Sequence, residues 1–255
     1  MATPTAHRKP SILSIIKGVS AFVMYRFPFL SALTLTMLCS EREQEHRSEG
    51  FPLVYIYIHI FVLFTSGTMM SFGSQRSLWA VVTAVSMAIF TTLTQSQQPK
   101  TKMWLVARIA SHDIGVIGVF LILASRVGED LGKKYRLHFL FPYGKNLISI
   151  FCIINSVQLY RTPEERRAFL STVPHGETAM VLLGVALLMG GFLFSSEFKT
   201  KRISAFLAVA LSFFILTIDG NLHYWHKKAR LEYWMQMNMV LNSVTVLCSL
   251  IFMAT

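Results

Sequence analysis

Eight runs of 16 to 22 mostly apolar residues, each bounded by charges or turn residues, occupy most of this chain: 18–38, 53–72, 78–93, 104–125, 139–160, 178–194, 203–218 and 233–253. A helix needs about 20 apolar residues to cross the hydrocarbon core of a bilayer. Lipid offers no hydrogen-bond partner to a backbone, and a barrel would need alternating strands of about ten residues, so unbroken runs of this length are helices. The runs at 78–93, 178–194 and 203–218 are short, and must borrow flanking residues or thin the bilayer locally to span it. Composition agrees. Only 15% of the 255 residues are charged against 53% apolar, with a mean hydropathy of +0.49, where soluble domains carry about 25% charged residues. The expected fold is an all-α polytopic membrane helix bundle of about eight transmembrane helices, with residues 1–255 forming one multi-pass domain and only short connections between spans.

An internal repeat offers a second way to divide the chain. A shift of 126 positions lays Arg76 on Arg202 and Lys102 on Lys228, overlaying the second to fourth spans on the sixth to eighth. The match lies in span length and loop charge. It would make two parallel four-helix repeats, in halves 1–130 and 131–255, with a site at their interface.

The net charge of +11 invites a nucleic-acid partner, but the basic residues are scattered through loops and form no aromatic-interleaved stripe. The expected partner is the lipid bilayer and its anionic headgroups, with no nucleic acid. The loop charges do not orient the chain. Arg8, Lys9, Arg76, Arg126, Lys133, Lys134, Arg136, Lys199, Lys201 and Arg202 stand on one side, and Arg42, Arg47, Lys100, Lys102, Arg161, Arg166, Arg167, Lys227, Lys228 and Arg230 on the other, ten each. Arg8 and Lys9 precede the first span, which favours cytoplasmic termini. The start at His7, Arg8 and Lys9 resembles a signal peptide, but Lys17 and Arg26 interrupt the apolar stretch that one needs. Cys39, Cys152 and Cys248 are too widely separated for a disulfide framework or a CxxC site.

An ionisable side chain in mid-bilayer costs about 2.5 to 3.5 kcal/mol on insertion scales, so each must be paired, hydrated or functional. Arg26 lies in the first span two residues before Pro28, where it could satisfy the carbonyl that the proline leaves free. Arg108 and His112, four apart, share a face of the fourth span, with Asp113 adjacent. They read as an ion-paired interface or as the lining of a ligand or proton pathway. Between the seventh and eighth spans stand Asp219, Asn221, His223, Tyr224, Trp225, His226, Arg230 and Glu232. Asp219 ends a helix, where the dipole is negative, so it needs a nearby cation such as Arg230 or Lys228, and an Asp219 to Arg230 pair is the expected clamp. Gly220 and Asn221 are the expected helix stop. His223 and His226 lack a third ligand at diagnostic spacing, so no metal is expected, nor any other cofactor. His59 is expected to be a hydrogen-bonded core histidine. Gly115, Gly118, Gly184, Gly190 and Gly191 allow close helix contact, expected within the chain rather than between copies. The candidate polar cluster is therefore Arg26, Arg108, Asp219, Asn221, His226, Arg230 and Glu232.

Certain stretches are similar to the transmembrane protein 101 family over nearly the whole chain. The densest are Ile218-Asp219-Gly220-Asn221, Tyr224-Trp225-His226, and 230–237 with Glu232, Trp234 and Gln236. Supporting stretches include Arg26-x-Pro28-Phe29, Glu41-Arg42, Met70-Ser71-Phe72-Gly73, Trp104-Leu105 with Arg108, and Pro174-x-Gly176-Glu177, whereas His112 and Asp113 lie outside the matching pattern. The resemblance implies a multi-pass integral membrane protein of about eight helices, associated with activation of NF-kappa-B signalling, and names no catalytic residue.

No nucleotide loop, HExxH, GxSxG or paired acidic motif is present, so the chain is not expected to be an enzyme. A redox or hydrolytic centre on His223, His226 and Asp219 is the weakest reading. The resemblance favours a membrane adaptor or modulator with protein partners in signalling. The alternative is a carrier for a small molecule, lipid or proton through a cavity lined by Arg26, Arg108 and Asp219.

Overall fold

The structure, a computed structural model, describes residues 12–44, 53–73, 75–96, 102–130, 137–196 and 199–255. The charges at Arg8, Lys9, Arg47, Lys100, Lys133, Lys134 and Arg136, and the start that resembles a signal peptide, lie outside the described residues. The described chain is helical: α1 (Ile12–Gln44), α2 (Leu53–Ser71), α3 (Arg76–Ser96), α4 (Met103–Asp130), α5 (Leu140–Arg161), α6 (Pro163–Thr172), α7 (Glu177–Ser195), α8 (Thr200–Phe214) and α9 (Tyr233–Ala254). A wider π turn, Ile215–Asp219, extends α8, and a second, Tyr224–Lys228, lies before α9. Eight of these helices, with α8 counted to Asp219, are long and apolar enough to cross a membrane. The protein is a multi-pass integral membrane protein.

Each span packs on the next, α9 returns onto α1, and α4 touches α9 across the middle. The result is a closed up-and-down bundle. Its outward face is apolar: Phe22, Phe61, Phe64, Val209 and Leu216 are all exposed, as lipid-facing side chains must be. Its interior holds many Ser and Thr hydroxyls that donate back to carbonyls of their own helices, as Thr83 does to Trp79 and Ser149 to Lys145. Exchanging the halves maps this pattern of neighbours onto itself, as the duplication would require and as any eight-span ring of this order would also do.

The glycine spacings serve packing inside the chain. A Cβ on Gly118 would stand 2.7 Å from the Gly144 carbonyl oxygen, and one on Gly144 would stand 2.6 Å from the Gly118 oxygen. Here α4 and α5 touch backbone to backbone. Gly190 and Gly184 instead make room for side chains, those of Leu207 and Tyr160.

The termini of the spans define two faces of the bundle. The face holding the C-terminal end of α1 and the N-terminal ends of α4 and α9 is capped by α6 and the turn 220–232. The connection 161–177 is more than a short link between spans, because α6 occupies most of it. Pro163 fits the first helical position and Glu164 and Glu165 follow in the first turn. Ten residues are too few for a stable helix alone. Burial of Ala168 and Phe169 at 0% exposure holds α6 against the bundle.

At 33 residues, α1 is about 50 Å long, well beyond the hydrocarbon core. Its last turns reach α9. Glu41 accepts from the backbone N–H of Tyr233 at 3.1 Å and of Trp234 at 3.2 Å, a carboxylate on two free donors at a helix N-terminus. Arg42 donates to both oxygens of Glu232, Nη2 to Oε2 at 2.9 Å and Nε to Oε1 at 3.1 Å.

Candidate functional site

Beneath the cap lies a buried ionic network. Asp219 reaches it because the π turn extends the seventh span by five residues, closed by the Gly220 N–H donating to the Ile215 carbonyl at 2.7 Å. The helix stops at Gly220, as expected, with a φ of −75° at the end of a wide turn. Asp219 has 0% exposure and four partners. Its Oδ1 accepts from Arg108 Nη2 at 2.8 Å, and its Oδ2 from Ser243 Oγ at 2.6 Å with His112 Nε2 at 3.3 Å. Its backbone carbonyl accepts from Gln236 Nε2 at 2.6 Å.

Arg108 is equally buried. Its guanidinium carbon lies 3.7 Å from the centre of the Trp225 ring, a cation–π contact strengthened by the exclusion of water. The Trp225 indole N–H donates to the Ile218 carbonyl at 2.7 Å, which fixes the ring against the π turn. On another side Arg108 Nε stands 3.8 Å from Glu165 Oε1. That is ion-pair range without a hydrogen bond, and both oxygens of Glu165 lack a hydrogen-bond partner. Burial pushes the Glu165 carboxyl up to about 7; Arg108 pulls it back, and Asp219 pushes it further up.

Both ring nitrogens of His112 face acceptors, Nδ1 the Arg108 carbonyl at 2.7 Å and Nε2 the Asp219 carboxylate. The network thus ties α4, α6, the end of α8, the 220–232 turn and α9 together by charge. It works as a latch. It exposes no surface to a substrate, and among the described residues no group of three His, Cys, Asp or Glu gathers to hold a metal.

The candidate residues separate. Arg108 and Asp219 meet as the central pair. Asn221 sits next to them in the cap, its Nδ2 donating to Ser171 Oγ at 2.8 Å and Thr172 Oγ1 at 3.0 Å while its Oδ1 accepts from the Tyr224 N–H; it staples α6 to the turn. His226 is exposed and pairs Nδ1 with the Leu231 carbonyl at 3.3 Å. Glu232 pairs with Arg42. Two expectations are corrected. Arg230 does not clamp Asp219: it is exposed, at a φ of 56°, and the cation that Asp219 needs comes from Arg108, a residue 111 positions earlier. Arg26 does not join a cavity with Arg108 and Asp219. It is exposed on the outer face of α1, 5.1 Å from the Phe22 ring, while the other two are sealed by each other.

His112 and Asp113, outside the family-like pattern, both carry structure. Adjacent helical residues point about 100° apart, so His112 turns to Asp219 while Asp113 turns to α3 and α9. Asp113 Oδ2 accepts from Thr91 Oγ1 at 2.8 Å and Oδ1 from Asn242 Nδ2 at 3.1 Å. Glu165 was not anticipated. The signal for it was Pro163 followed by two acids and, at three and four residues beyond Glu165, the apolar pair Ala168 and Phe169: the start of a short helix with one buried face.

An eight-span helical membrane bundle whose internal charges are latched beneath a helical cap is the class these observations define. The sequence model of the TMEM101 protein family matches residues 9–255, and the chain belongs to that family. No solved structure matches it.

Proposed function

We propose that this chain is a non-enzymatic membrane modulator that acts on protein partners through its capped face, in keeping with the NF-kappa-B signalling that the family resemblance implies. The observation that carries the reading is the construction of the cap. Helix α6 and the turn 220–232 are held on the bundle by the Arg108, Asp219 and Glu165 network and by Asn221, and together with Arg161 at the end of α5 they present Arg166, Arg167, Lys227, Lys228 and Arg230 outward. A rigid basic platform suits an acidic protein surface and needs no substrate passage through the bundle. A carrier using Arg108 and Asp219 would have to break a desolvated ion pair in each cycle, which argues against flux along that route.

The test is a transcription reporter for NF-kappa-B in cells expressing the full chain. Arg166→Glu, Arg167→Glu, Lys227→Glu and Lys228→Glu together are expected to abolish the response at unchanged membrane abundance. An undiminished response, or one lost equally when the protein is retained in a compartment that the wild type does not occupy, would overturn it.

A further inference from the structure

A cavity of about 110 Å³ opens between α1, α2, α3, α4 and α9, with Asp113 on its wall. Nothing in the latch reaches it. Asp113 is 7% exposed, and its two acceptor contacts, from Thr91 and Asn242, both come from neutral donors. A carboxylate has about four acceptor positions, so about half of its capacity is free. The wall's other charged residue, Arg42, is taken by Glu232. Two more polar groups of the wall are unsatisfied: His59, 4% exposed, uses Nδ1 on Ser86 Oγ at 2.8 Å and has no partner at Nε2, and Ser31 Oγ has none either. The remaining wall is apolar, including Leu35, Met87, Phe90 and Ile109.

A carboxylate in a low-dielectric cavity calls for a cation. Asp219 shows how this bundle meets that demand elsewhere, with an arginine from its own chain. Asp113 has no such arginine among the described residues: the base whose field reaches it is the neighbouring His112, whose ring nitrogens face the Arg108 carbonyl and Asp219 instead. The size is also limiting: an apolar protein cavity of about 150 Å³ takes benzene, so this one admits a ring or short chain of about six heavy atoms and excludes a whole phospholipid. We propose that the cavity is a binding site for a small lipophilic amine, with its ammonium on Asp113 and its apolar body against Met87, Phe90 and Ile109. Cys39 and Thr94 border the same space.

This site stands apart from the modulator reading, and the two fail separately. The full chain in phosphatidylcholine nanodiscs is treated with N-ethylmaleimide, and modification of Cys39 and Cys248 is followed by peptide mass spectrometry. Cyclohexylamine is expected to slow modification of Cys39 by about tenfold at saturation, with Cys248 unaffected. Cyclohexanol, of the same size and uncharged, is expected to slow it less than about twofold. Asp113→Asn should erase the difference between the two. Ile109→Phe, which fills the cavity without touching the carboxylate, should remove protection by both; it serves where Asp113→Asn yields no folded protein. Equal protection by amine and alcohol in the wild type, or a preference for amine that survives either substitution, would overturn the assignment. Loss of amine binding with an intact reporter response would leave the proposed function standing.

Discussion

Asp219 and Asp113 are both carboxylates placed inside the bundle, and the protein treats them in opposite ways. Asp219 is enclosed by an arginine, a histidine and a serine, with an indole sealing the arginine from behind. Asp113, which follows His112 on α4 and takes its amide donor from Asn242, the neighbour of Ser243 on α9, receives only a threonine hydroxyl and a side-chain amide and borders open space. One is a fastening and the other an acceptor with capacity to spare. The difference teaches that burial of a charge in a membrane bundle does not by itself mark function. What marks it is whether the surrounding side chains finish the job of solvation.

The largest effect is expected at the fastening. Asp219→Asn leaves Arg108 buried with no carboxylate in hydrogen-bond contact, and removing one member of a buried pair costs about 3 to 5 kcal/mol. Thermal unfolding in detergent should show a drop large enough to deplete the folded protein. The paired change Arg108→Met with Asp219→Asn is expected to recover part of the loss, since the buried guanidinium no longer stands without its carboxylate. If the single substitution were harmless, Asp219 would resemble Asp113 and the contrast would collapse.

The next effect depends on pH. Glu165 holds its proton up to about 7 when folded, against an ordinary value of 4.5. Its folded value is raised, so its contribution is fully present below about pH 4.5 and is lost as pH climbs through 7, an amount of about 3 kcal/mol. The stability of the wild type should therefore fall across that window. Glu165→Gln, which cannot ionise, should flatten the slope; an unchanged slope would mean that Glu165 does not carry it. Below this comes packing. Gly118→Ala would drive a methyl against the Gly144 carbonyl at 2.7 Å, and overpacking of this kind costs about 1 to 3 kcal/mol. Its unfolding midpoint should fall without any change in pH dependence, which separates helix contact from charge.

The spans were legible because lipid leaves the backbone only one way to satisfy itself, and the interior charges were legible because they are rare. Pairing was not. Arg108 and Asp219 are 111 positions apart, and nothing in either local sequence names the other; Arg230, closer in the chain, was the natural partner for Asp219. Arg230 instead turns outward because its left-handed backbone reverses the chain before α9. Arg26 was read as interior from its place in the run, but a run of apolar residues on all sides carries no period to say which face meets lipid. The helix at Pro163–Thr172 was hidden by its four consecutive charges, since only Ala168 and Phe169 of its buried face are apolar.

The smallest effect is expected at Asp113, and it completes the contrast. Asn is nearly isosteric with Asp, its carbonyl oxygen can still accept from Asn242, and the hydroxyl of Thr91 can rotate to accept from the new amide. No arginine or lysine is stranded, because among the described residues none is paired there. Asp113→Asn should therefore change stability by less than about 1 kcal/mol, measured in the same detergent and at the same pH as Asp219→Asn. A cost as large as that at Asp219 would mean that Asp113 is a second fastening, with its free acceptor positions already used for folding. A small cost leaves those positions for something that is not part of the chain.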